Sequence, residues 1–379
     1  MKVAFYAPMK PPTSPAPSGD RLIGRLLINA LHSAGVSVEL MSQFRSYEGK
    51  GDSDHQTRLK SIGQRLANRM VRRLLKRPPE ERPSAWLTYH LYHKAPDWIG
   101  PLVSQKLSIP YVVIEASFAP KQATGSWQLG HSAVYNTLAN TDLAIGLNSQ
   151  DATCVIPCLS TPQRYKSLRP FLNSTLLEKA GKDSNRHRRA IVDELNVDSQ
   201  SVLLLTVAMM RPGDKVHSYE ILAQALRLID DQDWILLLVG SGSEEPQVRS
   251  FFKSFGNRII WLGRVEADRL ATLYSASDIF VWPAAKESPG MCFLEAMAAG
   301  TPVIGGDSGG VPDIVEHNVT GLLAKHLDVY DFAACVKTLV VDKDRRRTMG
   351  AAGAMNVSRH HKIDSAGQQL KKLLSEVAL

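Results

Sequence analysis

The sequence predicts an α/β protein made of two Rossmann-like, doubly wound domains. Three observations carry that prediction. Short apolar runs alternate with amphipathic stretches through both halves of the chain, the pattern of strands joined by crossover helices. Two of those runs, Val202-Leu203-Leu204-Leu205-Thr206-Val207 and Ile235-Leu236-Leu237-Leu238-Val239, are apolar almost throughout, as parallel strands buried on both faces are. A polar stretch without an apolar face, residues 181–189, lies between the halves and is the expected domain linker. At roughly 150 residues per domain, a chain of 379 residues suits two domains.

In chain order, residues 3–7 read as the first strand. A helix is expected over residues 21–34, where Leu22, Ile23, Leu26, Leu27, Ala30 and Leu31 recur at helical spacing. Strands follow at residues 36–41, 85–89, 111–114 and 143–145, with helical stretches between them. In the second half, strands at residues 259–262, 279–282 and 302–304 follow the two long apolar runs. The last helix carries Leu370, Leu373, Leu374 and Val377 on one side, which suits docking on another element.

Composition bounds the function. Hydrophobic residues make up 44% and charged residues 22%, ordinary values for a globular protein with packed cores. No apolar run approaches the roughly 20 residues of a membrane span. The start, Met1-Lys2-Val3-Ala4-Phe5-Tyr6-Ala7-Pro8, is a strand and a proline rather than a signal peptide. A cytoplasmic protein is therefore expected, with association at the inner face of a membrane open. The net charge of +8 favours anionic partners. Cys154 and Cys158 have no second Cys or His pair nearby, so no metal site is expected. Cys292 and Cys335 read as small core residues. The stretch from Arg58 to Arg82 sets Arg58, Lys60, Arg65, Arg69, Arg72, Arg73, Lys76 and Arg77 beside an apolar stripe. Such a helix presents a solvated basic face or rests on an anionic membrane surface. No aromatic residue interleaves the basic ones, so nucleic acid is not an expected partner.

The residues suited to chemistry lie in three places. The first is the run Lys286-Glu287-Ser288-Pro289-Gly290-Met291-Cys292-Phe293-Leu294-Glu295. Ser288 is expected as helix N-cap and Pro289 as first helical residue, with Gly300 ending the helix. Amides at Gly290, Met291 and Cys292 would then be free to meet an anion. Glu287 and Glu295 either bind paired sugar hydroxyls or merely favour the helix dipole. The second is Arg211-Pro212-Gly213-Asp214-Lys215 after a buried strand, where two cations can face a diphosphate. The third is Pro17-Ser18-Gly19-Asp20-Arg21, whose glycine allows phosphate or sugar near the backbone. It is not a full dinucleotide fingerprint.

The stretch from residue 257 to residue 324 resembles the C-terminal domain of the family-4 retaining glycosyltransferases of GT-B fold, known also as glycosyl transferases group 1. The resemblance rests on Leu262-Gly263-Arg264-Val265, Tyr274-Ser275-Ala276-Ser277-Asp278, the Glu287-x7-Glu295 pair, Glu295-Ala296-Met297-Ala298-Ala299-Gly300-Thr301-Pro302-Val303-Ile304 and Gly309-Gly310-Val311-Pro312-Asp313-Ile314-Val315. Arg211 and Lys215 resemble the family's Arg/Lys pair, one residue closer than usual, and Gly19 its glycine-rich first loop. The resemblance implies two domains facing across a cleft: an acceptor-side domain over residues 1–180 and a nucleotide-sugar domain over residues 181–359, with residues 360–379 crossing back. It implies that Arg211 and Lys215 bind the donor diphosphate, Glu295 the ribose and Glu287 the donor sugar. Gly290, Met291 and Cys292 would meet sugar and phosphate, and Val265 the base. No metal or cofactor is implied beyond the nucleotide-sugar, and the acceptor would be a saccharide or a lipid-linked one. Many relatives place a histidine after the strand that here precedes Glu115. Glu115 is the expected substitute, ahead of His131, while His90 and His93 also lie near a strand end. A sugar-nucleotide epimerase, a phosphorylase and a non-catalytic nucleotide-sugar binder on the same fold stay open as alternatives.

Overall fold

In the computed structural model, which describes residues 1–16 and 18–378, the chain divides into two compact units. One comprises residues 1–169 and 363–379, the other residues 170–362. Each is built on a six-stranded sheet, and every pairing between named strands is parallel. Parallel strands need crossover connections, and helices supply them here.

Unit 1 runs β1 (Lys2–Tyr6), α1 (Gly19–Ser33), β2 (Ser37–Leu40), α2 (Ser53–Leu75), β3 (Ala85–Leu91), α3 (Gly100–Leu107), β4 (Tyr111–Ala116), α4 (Gln128–Ala139), β5 (Leu143–Gly146), α5 (Ser149–Val155) and β6 (Tyr165–Ser167). Its sheet order is β2-β1-β3-β4-β5-β6. The chain therefore reverses direction across the sheet between β1 and β3, and this topological switch is where open α/β sheets take ligands, outside the carboxyl ends of their strands. Beneath lies a core of Ala4, Tyr6, Trp86, Leu91, Val103, Val113 and Leu138.

Unit 2 continues with α6 (Thr175–Lys182), α7 (Ser184–Leu195), β7 (Val202–Val207), α8 (Asp214–Arg227), β8 (Trp234–Val239), α9 (Glu245–Phe252), β9 (Ile259–Gly263), α10 (Ala267–Ala276), β10 (Ile279–Trp282), α11 (Met291–Ala298), β11 (Val303–Gly306), β12 (Gly321–Ala324), α12 (Val329–Val341) and α13 (Lys343–His360). The order β12-β11-β10-β7-β8-β9 puts its switch between β7 and β10. β7 and β8 are apolar on both faces because helices cover both. The final helix, α14 (Ile363–Val377), belongs to unit 1 and packs on α1 through Ala366, Leu370 and Leu374, with Lys371 Nζ donating to Ala34 O at 3.0 Å.

Three expectations change. The polar stretch 181–189 is helical, not a linker. Its apolar neighbours Leu177, Ala180 and Ile191 enter the unit 2 core. Its polar side chains find partners instead of water: Arg188 donates to Asp278 at 2.5 Å and to Ser201 O at 2.8 Å, and His187 Nδ1 lies 2.7 Å from Ser275 Oγ. The units meet instead at Arg169–Pro170 and Lys362–Ile363. The helix after β10 starts at Met291, with Gly290 as N-cap. Gly290 holds φ +75°, a left-handed conformation no helix interior accepts, so the right-handed turn begins only after it. Ser288 and Pro289 are thereby left in the loop, joined by a cis peptide bond. β6 and β12, both sheet edges, were not among the expected strands.

Candidate functional site

The residues of unit 2 singled out above gather at its switch. Lys215 stands in the first turn of α8, the helix that follows β7. Glu287 stands in the loop after β10. The Lys215 ammonium donates to Glu287 Oε2 at 2.6 Å, and the Trp282 indole N–H donates to the same oxygen at 3.1 Å. Lys215 Nζ also lies 5.3 Å from the centre of the Trp282 ring, where the negative face of the indole favours a cation. Both charged side chains are about four-fifths covered. An ion pair so placed is strengthened by the low local dielectric but remains within reach of a ligand.

The Glu287 loop is pinned from both sides. Ser218 Oγ of α8 accepts from the Ala285 amide at 3.0 Å, and the Gly310 amide donates to the Glu287 carbonyl at 2.9 Å. Gly309, at φ +62°, passes so close that an added Cβ would lie 2.0 Å from the Glu287 carbonyl oxygen. Only glycine fits there. Ala284, two residues after β10, is itself left-handed with φ +52°.

Glu295 lies in the second turn of α11 and is partly buried. The Tyr274 hydroxyl of α10 donates to Glu295 Oε2 at 2.9 Å. Burial pushes the Glu295 carboxyl up to about 7, and the tyrosine hydrogen bond only partly offsets it. Tyr274 is held in turn by Thr301, whose hydroxyl donates to the Tyr274 carbonyl at 2.6 Å. Met291 and Cys292 begin α11, so their amides have no acceptor within the helix. The Gly290 amide precedes the helix and is not one of that set. Burial holds the Cys292 thiol well above its usual range, as a neutral group.

Arg211 is exposed and joins no ion pair among the described residues. Val265, partly buried, follows β9 against the unit core. Gly19 opens α1 instead of lying in a free loop, with Ser18 Oγ as the cap on the Arg21 amide at 3.2 Å. A Cβ at Gly19 would meet nothing within 4 Å, so its backbone does not demand glycine. Pro17 lies outside the described residues.

Glu115 ends β4 in unit 1, only 7% exposed, with φ +58°. Its Oε2 is closed off from solvent, and the Tyr89 hydroxyl beside it favours the carboxylate. Burial raises its carboxyl above the usual range, and His90 partly counters this. His90, near the end of β3, has φ +62° and sets Nδ1 2.9 Å from Asp20 Oδ1. Burial works against charge on this imidazole, but Asp20 and the fields of Glu115 and Asp151 raise it above its usual value. His131 instead packs on Phe118, with ring centres 4.6 Å apart. His93 packs at a tilt against Tyr92, ring centres 4.1 Å apart, and burial lowers it to about 4, so it is neutral near pH 7.

The Arg58–Arg82 stretch forms α2 and the turn after it. Leu59, Ala67, Met70, Val71 and Leu74 are buried in unit 1, so this apolar stripe is not free to enter a bilayer. Arg77 grips Glu39 with two hydrogen bonds of 2.7 and 2.8 Å. Arg58, Arg65, Arg69, Arg72 and Lys76 stay exposed along one side of the helix. Among the described residues no helix is long and apolar enough to cross a membrane. All four cysteines are free.

The chain is similar to known proteins. Residues 201–342 match the family model described as glycosyl transferases group 1. The chain is 35% identical over 148 residues to a GDP-mannose-dependent alpha-(1-6)-phosphatidylinositol monomannoside mannosyltransferase of Mycobacterium tuberculosis. That match spans 37% of this chain and 38% of the relative, little more than a third of its length. It is 27% identical to the alpha-maltose-1-phosphate synthase of Mycolicibacterium smegmatis over 67% of this chain and 70% of that one. Among solved structures, Anabaena HepE in complex with UDP and glucose superposes with a TM-score of 0.73 at 20% identity, covering 98% of this chain and 99% of that one. Sucrose-phosphate synthase of Thermosynechococcus elongatus gives a TM-score of 0.74 at 21% identity, covering 99% and 98%. The two Rossmann-like units thus have the fold of GT-B glycosyltransferases, and the named relatives are glycosyltransferases.

Sequence reasoning missed Trp282 and the Asp20–His90 pair. Trp282 ends an apolar strand and reads as core, which its ring also is. Asp20 and His90 stand 70 residues apart, and only strand pairing brings them together.

Proposed function

We propose that the protein is a retaining, metal-independent glycosyltransferase of family 4 that moves a sugar from a nucleoside-diphosphate sugar to a saccharide or lipid-linked acceptor. The observation that carries this reading is the Lys215–Glu287 ion pair at the unit 2 switch, 2.6 Å long and braced by Trp282, inside the segment that matches group 1 glycosyl transferases. Unit 2 would take the donor and unit 1 the acceptor. The relatives' names support a sugar nucleotide as donor and a glycolipid or sugar phosphate as acceptor class.

In this reading the donor diphosphate draws Lys215 away from Glu287. It is held by Lys215, Arg211 and the first amides of α11, which supply the positive charge a metal would otherwise bring. The freed Glu287 carboxylate then accepts hydrogen bonds from the donor sugar. Glu295 accepts from the ribose hydroxyls, and the backbone at Val265 meets the base. In unit 1, Glu115 and the Gly19 turn would serve a sugar bound to that unit. The departing phosphate takes the acceptor proton on the same face, so the anomeric configuration is kept. No cofactor beyond the donor takes part. The exposed basic row of α2 would rest on anionic lipid at the inner membrane face by charge alone.

The test is a panel of nucleotide-sugars on the purified protein, read by thermal shift and by release of nucleoside diphosphate to saccharide and glycolipid acceptors. At least one donor should stabilise the wild type and turn over, with the product's anomeric configuration read by NMR. Stabilisation by none of them, or full turnover in Lys215→Ala, would refute the assignment.

A further inference from the structure

Two buried aromatic side chains, Tyr219 and Trp282, tie together the loops of the unit 2 switch, residues 208–213 after β7 and 283–290 after β10. Trp282 is the last residue of β10, and Tyr219 lies in the second turn of α8. Their rings meet edge to face with centres 4.9 Å apart, a packing that the aromatic quadrupole favours. The Tyr219 hydroxyl donates to the Ala208 carbonyl at 2.7 Å, at the start of the loop that carries Arg211. Gly240 makes room for that bond, since a Cβ there would lie 1.8 Å from Ala208 O. On its other side Trp282 donates its N–H to Glu287 Oε2 at 3.1 Å, and Lys215 Nζ lies 5.3 Å from the ring centre. One fixed indole therefore touches both partners of the ion pair.

The contacts of the indole and the ion pair itself differ in what can break them. Lys215 donates to the same Oε2 at 2.6 Å, but it rides on a flexible four-carbon stem, and a more highly charged anion competes for its ammonium. The indole N–H is a neutral donor. Its ring is fully buried against Tyr219 and cannot follow a ligand. When an anion takes Lys215, Oε2 keeps the indole donor, and the face of the ring still favours the ammonium. Without the N–H, the same event would strip Oε2 of both donors. A largely covered carboxylate short of donors is costly.

We propose that Trp282, held by Tyr219, is the positioning residue of this site: it keeps Glu287 seated while Lys215 passes from the carboxylate to a diphosphate. That the diphosphate belongs to a sugar nucleotide rests on the glycosyltransferase reading; the exchange over a fixed indole does not. The role has a signature in binding. A nucleoside diphosphate takes Lys215 and brings no sugar hydroxyl to Glu287, so it depends most on the indole N–H. A sugar nucleotide brings its own hydroxyls to the carboxylate and depends on the indole less.

The experiment uses the full chain with nitrogen-15 in its tryptophan indoles. The Trp282 signal is the one lost in Trp282→Phe; should that variant not fold, it is the one that moves in both Glu287→Gln and Lys215→Met. Inorganic pyrophosphate, UDP, GDP, UDP-glucose and GDP-mannose are titrated in turn. Pyrophosphate or a nucleotide should shift the Trp282 signal, while its N–H exchanges with water no faster than before. By calorimetry, Trp282→Phe should weaken binding of the nucleoside diphosphate about tenfold, the effect of losing a hydrogen bond to a charged group. Binding of the matching sugar nucleotide should weaken clearly less. A signal unmoved by every anion, faster N–H exchange in the bound state, or equal losses for both ligands, as a merely structural residue would give, would overturn the proposal. A response to pyrophosphate but to no nucleotide or sugar nucleotide would refute the glycosyltransferase reading and leave the exchange in place. Sugar transfer by the wild type together with any of the three overturning results would do the reverse.

Discussion

Each unit places one side chain from the first turn of the helix after its first strand against one from the end of the strand across the switch or the loop that follows it. In unit 2 the pair is Lys215 and Glu287; in unit 1 it is Asp20 and His90. The topology is the same and the chemistry differs. The unit 2 pair is a full ion pair with a second donor, Trp282, and its loop is clamped by Gly309 and Gly310. The unit 1 pair is partly exposed and lies in the field of the buried Glu115 carboxyl. Lys215 can exchange Glu287 for a diphosphate while the freed carboxylate keeps the Trp282 donor. A partly exposed imidazole among carboxylates suits neutral hydroxyls. One architectural position therefore supports two recognition chemistries, and loop residues decide which.

Perturbing each side separately sharpens that contrast. The largest effect is expected from Lys215→Ala or Glu295→Ala, which should lower sugar transfer about 10²–10³-fold, as loss of one preorganised electrostatic group does. Fold retention is checked by circular dichroism. Next, Gly309→Ala should destabilise the protein by roughly 1–3 kcal/mol, since it forces left-handed strain as well as a clash with the Glu287 carbonyl. Urea unfolding measures this, and an unchanged midpoint would show that the clamp is soft.

The third effect concerns pH. The Glu295 carboxyl sits near 7 because burial disfavours its charge. Its raised value stabilises the unliganded fold fully at low pH, and that contribution is lost as pH rises through about 7. Ribose binding needs the ionised form, so nucleoside diphosphate affinity should rise about tenfold between pH 6 and pH 8, as the ionised fraction does. Calorimetry on wild type and Glu295→Gln checks it: the rise should be absent in the variant beyond the titration of the nucleotide itself. The smallest effect belongs to α2. Arg65→Glu with Arg69→Glu should change stability by less than about 0.5 kcal/mol, as exposed sites do, yet weaken sedimentation with phosphatidylglycerol vesicles. Equal vesicle binding would remove α2 from any membrane role.

Much of unit 2 was legible beforehand. Apolar runs as long as β7 and β8 announce buried parallel strands, and the Glu287–Glu295 spacing marks a loop and the helix after it. The start of that helix was not legible: Ser288 and Pro289 carry every local signal of an N-cap, and the left-handed Gly290 overrides them. β6 and β12 escaped notice because a three- or four-residue edge strand owes its form to its neighbour. The polar 181–189 stretch misled for a related reason, since its partners Asp278 and Ser275 arrive from far along the chain.

By itself, then, the sequence determined two doubly wound α/β units, the loop that carries Glu287, the helices that carry Lys215 and Glu295, and the basic character of α2. Periodicity and local motif residues are properties of contiguous chain, and these features depend on nothing else. The tertiary structure alone decided that Lys215 pairs with Glu287 over Trp282, that Asp20 meets His90, and that Glu115 lies buried beside Tyr89. Those outcomes depend on which strands become neighbours. In a parallel sheet that order follows from how the crossover helices pack, so residues tens of positions apart meet through contacts that no local window contains.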